Sequence, residues 1–233
     1  MHNGELWLEN RRGSSGLGIG EARPRLSWLL PDCDEQTVVL RATSAQGRAE
    51  VVAPTQGRLL GWPFRPLASR DRVEVSLHRL SPAPDADPLV ACPVEAGLLQ
   101  TGDWHEEFVS PSPKAKEQRL RPAFLLRAEW DLSNTDLKLS DVARARVYST
   151  AHGVYELEVN GRAVGSDVLA PGWTSYRHRL RYQTHDVTDL VRDGRNAIGA
   201  WLADGWYRGR IGFEGGRWDY YGQDVALLAS GER

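Results

Sequence analysis

The chain of 233 residues has few lysines and a single methionine, and it lacks a long apolar run. Lys114, Lys116 and Lys138 are its only lysines, so arginine supplies almost all of the positive charge. No segment approaches the ~18 consecutive apolar residues of a membrane-spanning helix. Residues 1–12 have no apolar core typical of a signal peptide. These absences predict a cytoplasmic protein.

The chain also has only two cysteines and a small net charge. Cys33 and Cys92 lie far apart and lack metal-ligand spacing, so we expect free thiols rather than a disulfide. The six histidines are scattered and complete no metal site. A net charge of -2 offers no electrostatic attraction to nucleic acid or to an anionic membrane. We therefore predict no metal, no cofactor, and neither nucleic acid nor membrane as a partner.

Tryptophan, in contrast, is abundant: the chain has nine Trp against four Phe. Indole rings suit surfaces that combine a broad apolar face with one polar group. The alternative is that several of them fill hydrophobic cores. The residues Trp173, Tyr176, Trp206, Tyr207, Trp218, Tyr220 and Tyr221 lie in or near the turn segments APGW, ADGWYRG and GGRWDYYG.

Strand patterns are clearest in the second half of the chain. In residues 154–159 three apolar side chains alternate with Glu156 and Glu158, which is typical of a strand with one buried face. Asn160 and Gly161 follow at once, and this pair accepts the positive φ angles of a type I′ turn. The pattern predicts a tight β-hairpin.

Two further strands are predicted from alternation over residues 180–184 and 198–202. Between them, Asp186 is placed to cap a helical turn that ends before Gly194. We expect this short turn to be the only helix in the region. The prediction for this half of the chain is therefore a β-sandwich.

Residues 1–97 also show strand patterns. Alternating or β-branched runs at residues 37–42 and 72–78 are separated by turns rich in Pro and Gly, which predicts a small β-sandwich. Gly16, Gly18 and Gly20 suggest a phosphate-binding loop, but no predicted strand precedes them and no helix follows. We therefore assign no nucleotide site to them.

Several motifs resemble one known family. VYELEVNGRAVG, APGWTSYRHRLRYQTHDVT and DGWYRGR are similar to the N-terminal β-sandwich of bacterial α-L-rhamnosidases, the family 78 glycoside hydrolases. GIGEARPRLSW resembles the opening of the fibronectin-type-III-like domain in such enzymes, and EAGLLQTGDW resembles the junction that follows it. The resemblance is strong over residues 143–229 and thinner before them.

The resemblance implies an all-β chain of two domains. Residues 1–97 would form a fibronectin-type-III-like sandwich, and residues 98–233 a galactose-binding-like, jelly-roll sandwich of the rhamnosidase N-terminal type. The family continues with further strands where this chain has only four residues after Ala229. We therefore expect the second sandwich to be truncated at its C terminus, with a strand edge or apolar face uncovered. A homodimer, or packing of the first domain over the gap, would cover it.

The same resemblance implies that the chemistry lies elsewhere. In that family two carboxylates act from a large helical barrel that this chain does not reach. Glu156 and Glu158 sit on the exposed face of a strand, and Asp186 and Asp189 look like helix caps. Asp204, Glu214 and Asp219 lie near tryptophans, but their spacing marks no catalytic pair. We expect no catalytic residues and no enzyme activity from this chain on its own.

The predicted function is therefore that of a non-catalytic part of an α-L-rhamnosidase-like glycoside hydrolase. One hypothesis is carbohydrate recognition, with an L-rhamnose-containing carbohydrate as a weakly bound partner. Aromatic rings in loops can offer flat faces to a pyranose, while nearby Asp and Arg bind its hydroxyls. The candidate carbohydrate-binding residues are Trp173, Tyr176, Asp204, Trp206, Tyr207, Arg208 and Trp218. The alternative is a structural or assembly module that packs on a catalytic domain, or on a catalytic chain encoded downstream, and binds no sugar.

Overall fold

The computed structural model describes residues 4–12, 16–31, 33–80, 87–111, 121–135 and 138–232. The chain is nearly all β, as predicted. It divides into two compact units, Met1–Trp104 and His105–Arg233. The finer assignments, to a fibronectin-like sandwich over 1–97 and a jelly-roll-like sandwich over 98–233, stay predictions.

The first unit contains a three-stranded and a five-stranded sheet. Its strands are β1 (Glu5–Leu8), β2 (Gly16–Ile19), β3 (Leu26–Leu29), β4 (Thr37–Ser44), β5 (Gly47–Pro54), β6 (Gly57–Leu60), β7 (Arg72–Arg79) and β8 (Val90–Ala96). The sheet orders are β1-β3-β6 and β2-β8-β7-β4-β5. A 3-10 turn at Thr101–Asp103 follows the last strand.

The predicted strands at residues 37–42 and 72–78 are confirmed as β4 and β7, which pair antiparallel. Apolar side chains from both are buried, including Val38, Leu40 and Leu77. The glycine-rich stretch forms β2, which runs parallel to β8. Gly16 packs so closely on β8 that a Cβ there would lie 2.3 Å from the Pro93 carbonyl oxygen. That close strand contact explains its glycine.

The second unit contains a three-stranded and a four-stranded antiparallel sheet. Its strands are β9 (Phe124–Asp131), β10 (Arg146–His152), β11 (Val154–Val159), β12 (Arg162–Ala163), β13 (Gln183–Asp186), β14 (Arg195–Ala203) and β15 (Ala226–Glu232). The sheet orders are β13-β10-β15 and β12-β11-β14-β9. Short helical segments are α1 (Gly205–Arg208) and 3-10 turns at Leu132–Asn134, Leu139–Asp141 and Thr188–Leu190.

The two sheets of the second unit share one hydrophobic core, which makes the unit a β-sandwich. Val147 and Leu227 come from the three-stranded sheet, and Leu157 and Leu202 come from the four-stranded sheet. Burial of apolar side chains between the sheets supplies the main stabilisation of such a layer, at about 25 cal/mol per Å². Among the described residues, no helix is long and apolar enough to cross a membrane.

The predicted hairpin is confirmed. The apolar residues of β11 are buried and its two glutamates are exposed. Asn160 and Gly161 have φ angles of 53° and 76°, and Val159 pairs with Arg162 across the turn. The Asn160 side chain also donates to the Leu190 carbonyl at 2.8 Å and accepts from the Ala197 amide at 3.0 Å. This side chain therefore joins the turn to β14 and to the neighbouring 3-10 turn.

One local prediction was wrong in extent. The strand predicted from residue 180 begins only at Gln183, because a turn precedes it in which the amides of His178 and Arg179 donate to the Ser175 carbonyl. The short helical turn predicted after Asp186 is confirmed as a single 3-10 turn, and the Asp186 carboxylate accepts from the Thr188 amide at 3.0 Å.

The helix α1 was not predicted. Gly205 opens it with a φ of 51°, a left-handed value that glycine adopts without strain. An ion pair between Asp204 and Arg208, four residues apart, spans its single turn. The alternating pattern of β14 does not indicate that a helical turn follows this strand.

One edge of the three-stranded sheet is partly covered. Val109 pairs with Leu227 on the side of β15 that faces away from β10, through two backbone hydrogen bonds of 2.8 and 2.9 Å. The Ser110 hydroxyl donates to the Val225 carbonyl at 2.7 Å beside this pair. The segment at residues 108–110 thus protects the first part of β15.

Candidate functional site

Two long connections of the second unit carry the predicted site: residues 164–182, between β12 and β13, and residues 204–225, between β14 and β15. Six of their aromatic side chains form one connected group. We define the aromatic cluster as Trp173, Tyr176, Trp206, Tyr207, Tyr220 and Tyr221.

The outer part of the aromatic cluster is a pair of parallel indole rings. Trp173 and Trp206 have ring centroids 6.2 Å apart and planes 3° from parallel. Trp173 is 53% exposed, and Trp206 is half-buried. The indole N–H of Trp173 donates to the Tyr221 hydroxyl at 3.4 Å, which ties the two connections together. The pair offers a flat apolar surface at the edge of the sandwich.

The inner part of the aromatic cluster holds the connections in place through edge-to-face contacts. The Tyr176 ring lies 5.4 Å from Tyr207 and 4.9 Å from Tyr221, and Tyr220 lies 4.8 Å from Tyr221. Burial raises the pKa of Tyr176 to about 12, and the neighbouring Tyr221 contributes in the same direction. The Tyr176 hydroxyl stays protonated and donates to the Gly172 carbonyl at 3.2 Å.

A histidine from β10 extends the aromatic cluster inward. The His152 ring stacks on Tyr207 at 4.6 Å and 4°, and on Phe108 at 4.6 Å and 10°. Burial lowers the pKa of His152, which favours the neutral ring in this three-ring stack. Burial also raises the pKa of Tyr207, with the negative charge of Asp224 as a second cause.

Below the aromatic cluster lies a group of ion pairs. Arg208 is only 4% exposed, and its guanidinium donates to the Asp204 carboxylate at 2.6 Å. Its guanidinium carbon also lies 5.6 Å from the centroid of the Phe124 ring. The structure therefore uses Arg208 and Asp204 to hold α1 against β9.

Trp218 packs against Arg121 rather than against the aromatic cluster. The Arg121 guanidinium carbon lies 4.7 Å from the centroid of its ring, and Arg121 also forms two hydrogen bonds, of 2.8 and 3.1 Å, to Asp219. Donation of these hydrogen bonds to the Asp219 carboxylate raises the pKa of Arg121. Trp218 is 49% exposed. In the described part of the chain, Trp218 makes no ring contact with the aromatic cluster.

The structure thus places the seven predicted residues in three groups. Four belong to the aromatic cluster, two form the ion pair beneath it, and Trp218 lies beside it. Their assignment as carbohydrate-binding residues stays a prediction. Sequence reasoning missed Phe108, Arg121 and His152, because each lies far along the chain from the loops that it supports.

The carboxylates considered for catalysis are dispersed. Glu156 and Glu158 lie on the exposed face of β11, while Asp204 and Asp219 are bound by arginines. Asp186 binds Thr188 and Arg146. Within the described ranges, no three His, Cys, Asp or Glu side chains converge closely enough to hold a metal ion.

Comparison with known proteins adds the family. Residues 140–232 match the family model described as the α-L-rhamnosidase N-terminal domain. The chain is similar to the N-terminal region of α-L-rhamnosidases. The match covers the strands β10 to β15 and both connections that carry the aromatic cluster, while β9 precedes it.

Individual relatives agree. An α-L-rhamnosidase of Streptomyces avermitilis is 57% identical over 88 residues, which are 38% of this chain and 8% of that protein. An α-L-rhamnosidase of Formosa agariphila is 32% identical over 87% of this chain and 23% of its own length. The crystal structure of an Aspergillus terreus α-L-rhamnosidase matches 97% of this chain with a TM-score of 0.80 and 34% identity, over 26% of its own chain. The present chain therefore spans about a quarter or less of these relatives.

Proposed function

We propose that this chain is the non-catalytic N-terminal part of an α-L-rhamnosidase-like glycoside hydrolase and that the aromatic cluster contributes to carbohydrate recognition. The observation that carries the proposal is the parallel Trp173–Trp206 pair on two joined loops. The pyranose ring has an apolar C–H face that can pack on an indole surface of this kind, while polar side chains around it fix orientation. The relatives named above are α-L-rhamnosidases, which makes an L-rhamnose-containing saccharide the proposed ligand.

The geometry fits a weak site better than a tight one. The indole pair lies on an open surface, so a bound sugar keeps much of its hydration and loses its own freedom of motion. We expect a Kd for a single rhamnoside on the order of millimolar. The tyrosines of the aromatic cluster and the Asp204–Arg208 pair hold the loops rigid, so that little ordering accompanies binding.

Tryptophan fluorescence during titration with methyl α-L-rhamnoside tests the proposal. Trp173→Ala should weaken binding at least severalfold, because it removes the exposed ring of the pair. Trp201→Ala is a matched control: Trp201 is 50% exposed, close to the 53% of Trp173, but lies on the outer face of β14. It should leave the titration unchanged. Equal effects of the two substitutions, or none from Trp173→Ala, would contradict a site at the aromatic cluster.

A second candidate, assembly on a neighbouring catalytic domain or chain, is favoured by one observation. Phe213 is 96% exposed at the tip of the loop closed by the Ile211–Arg217 bridge, and Val168 on the other connection is 80% exposed. A contiguous patch of exposed apolar side chains marks a surface that another protein covers, and these two are candidates for such a patch. If no Trp signal and no amide of residues 173–221 responds to the rhamnoside, the assembly function is the better one.

A further inference from the structure

Tyr220 differs from the rest of the aromatic cluster in having two arginines on its ring. The guanidinium carbons of Arg177 and Arg217 lie 5.8 and 5.7 Å from its centroid. Arg177 comes from the first connection and Arg217 from the second, so two loops bring their cations to one exposed ring. Both side chains are exposed, as is Tyr220.

Neither cation has a carboxylate partner among the residues that the structure describes. No ion pair or side-chain hydrogen bond of Arg177 or Arg217 exists within the described ranges of the chain, although most arginines in the first unit are paired. The surrounding sequence increases the local charge, since residues 173–182 contain three arginines and no acidic residue. Two like charges held at one ring repel each other, and an anion placed between them would relieve that repulsion.

Tyr220 and its two arginines lie near the Trp173–Trp206 pair that is proposed to bind the sugar. Tyr220 contacts Tyr221, and the Tyr221 hydroxyl accepts the hydrogen bond of Trp173. A ligand on the Trp173–Trp206 pair can therefore extend toward Arg177 and Arg217 within one or two sugar rings. Guanidinium groups bind carboxylates and sulfates through paired, charge-assisted hydrogen bonds.

We propose that the aromatic cluster recognises an acidic saccharide, with Arg177 and Arg217 binding a carboxylate or sulfate group and the aromatic rings binding the adjoining pyranose. This inference rests on the proposed carbohydrate-binding function and specifies its ligand class. It also explains why a protein with a net charge of -2 gathers at this surface two arginines that have no partner in the described part of the chain.

Matched ligand pairs test the proposal by isothermal titration or amide chemical shifts. Methyl β-D-glucuronide and methyl β-D-glucoside differ only in a carboxylate at C6. Methyl α-L-rhamnoside and its monosulfate ester differ only in the sulfate. Each arm reports on one source of the negative charge. We expect at least one anionic ligand to bind about tenfold more tightly than its neutral partner, with the preference decreasing as salt is added.

The variants locate the effect. The double substitution Arg177→Gln with Arg217→Gln should abolish the preference while leaving neutral-ligand binding unchanged. Arg195→Gln removes the same charge from an exposed position at the start of β14 and should preserve the preference. Retention of native amide spectra shows that each variant is folded. The single substitutions Arg177→Gln and Arg217→Gln measure how much each arginine contributes to the preference for the anionic ligand.

The outcomes separate the two proposals. If the neutral and anionic members of both pairs bind equally, the acidic ligand is excluded while carbohydrate recognition stands. If the preference exists but survives the double substitution, Arg177 and Arg217 are not its cause and the inference fails. If none of the four ligands binds, the proposed function fails together with this inference.

Discussion

Arg208 carries a charge that is almost wholly removed from water, and Asp204 is its main partner. Water no longer solvates the guanidinium, so the carboxylate must compensate its charge. Asp204 also lies 3.5 Å from Arg121, which in turn supports Trp218. Asp204 and Arg208 were predicted to bind sugar hydroxyls, yet their contacts give them a role in holding the loops.

Asp204→Ala should destabilise the second unit by about 3 kcal/mol, because it leaves the buried Arg208 without a counter-charge. Urea unfolding followed by the amide signals of β14 measures this. Glu129→Ala is the control, since it breaks the exposed Arg127–Glu129 pair on β9 and should leave the free energy of unfolding nearly unchanged. Equal stability of the two variants would show that Arg208 does not depend on Asp204.

His152 gives the second unit a dependence on pH. Burial lowers its pKa below the ordinary histidine value of 6.5, so the unfolded chain binds a proton more readily than the folded one. Its contribution to stability is therefore complete above pH 6.5 and is lost as the pH falls toward the folded pKa. His152→Phe keeps the ring stack with Phe108 and Tyr207 but cannot take up a proton.

Unfolding free energies about one unit above and one unit below pH 6.5 test this account. The natural chain should lose more stability on acidification than His152→Phe does. Buried His185, whose pKa burial also lowers, remains in both proteins and contributes equally. An identical pH dependence in the two proteins would exclude His152 as a source.

At the scale of elements, the β11–β12 hairpin shows what a short sequence can specify. Alternation fixed the buried face of the strand, and Asn160-Gly161 fixed the turn, because both are local properties. The buried Asn196 completes the arrangement: its side-chain oxygen accepts from Asn160 at 2.8 Å and from the Arg192 amide at 3.0 Å. The Asn160–Asn196 hydrogen bond joins residues 36 positions apart, and no local sequence pattern indicates it.

Gly161→Ala should destabilise the second unit by about 1 kcal/mol, because the alanine must adopt a φ near 76°. A Cβ at this position meets no atom within 4 Å, so the cost comes from the backbone alone. Gly231→Ala on β15 is equally free of contacts and has no positive φ, and it should be neutral or slightly stabilising. Chemical unfolding of both variants decides whether the turn is under this constraint.

The candidate site was less predictable than the hairpin. The density of aromatics in residues 173–221 indicated the loops, and the structure brings four of the predicted rings together. Phe108, Arg121 and His152 complete the support of these loops, but each comes from a different part of the chain. Their roles depend on the antiparallel pairing of β10 with β15 and on the packing of residue 121 near α1. Such contacts follow from topology, which the local patterns do not specify.

For the whole molecule, the relation to α-L-rhamnosidases raises the question of hydrolysis. Of the carboxylates considered above, Glu156 and Glu158 are exposed on β11, and Asp186, Asp204 and Asp219 are bound by arginines. We therefore predict no turnover of an aryl α-L-rhamnoside by this chain alone. Release of the aryl alcohol is the measurement. Turnover that one Asp or Glu substitution abolishes would contradict the prediction and locate a catalytic carboxylate within these 233 residues.

Self-association is a second property of the whole molecule. Val109 pairs with Leu227 at the edge of β15. The backbone N–H and C=O groups of Ala229 and Gly231 point to the same side of the strand as those of Leu227. Within the described ranges, Val109 is the one residue that pairs with this edge of β15, and the rest of such an edge can pair with a second copy. The predicted homodimer stays a hypothesis, and light scattering across a concentration series tests it.

The central claim, carbohydrate recognition by the aromatic cluster, is tested most directly by mapping amide chemical shifts during a titration with methyl α-L-rhamnoside. The account predicts saturable shifts, with a Kd on the order of millimolar, confined to the connections at residues 164–182 and 204–225. Amides of β9 around Leu125 and those of the first unit should stay unchanged. Absence of shifts in the two connections at saturating sugar, or shifts concentrated elsewhere, would contradict the account.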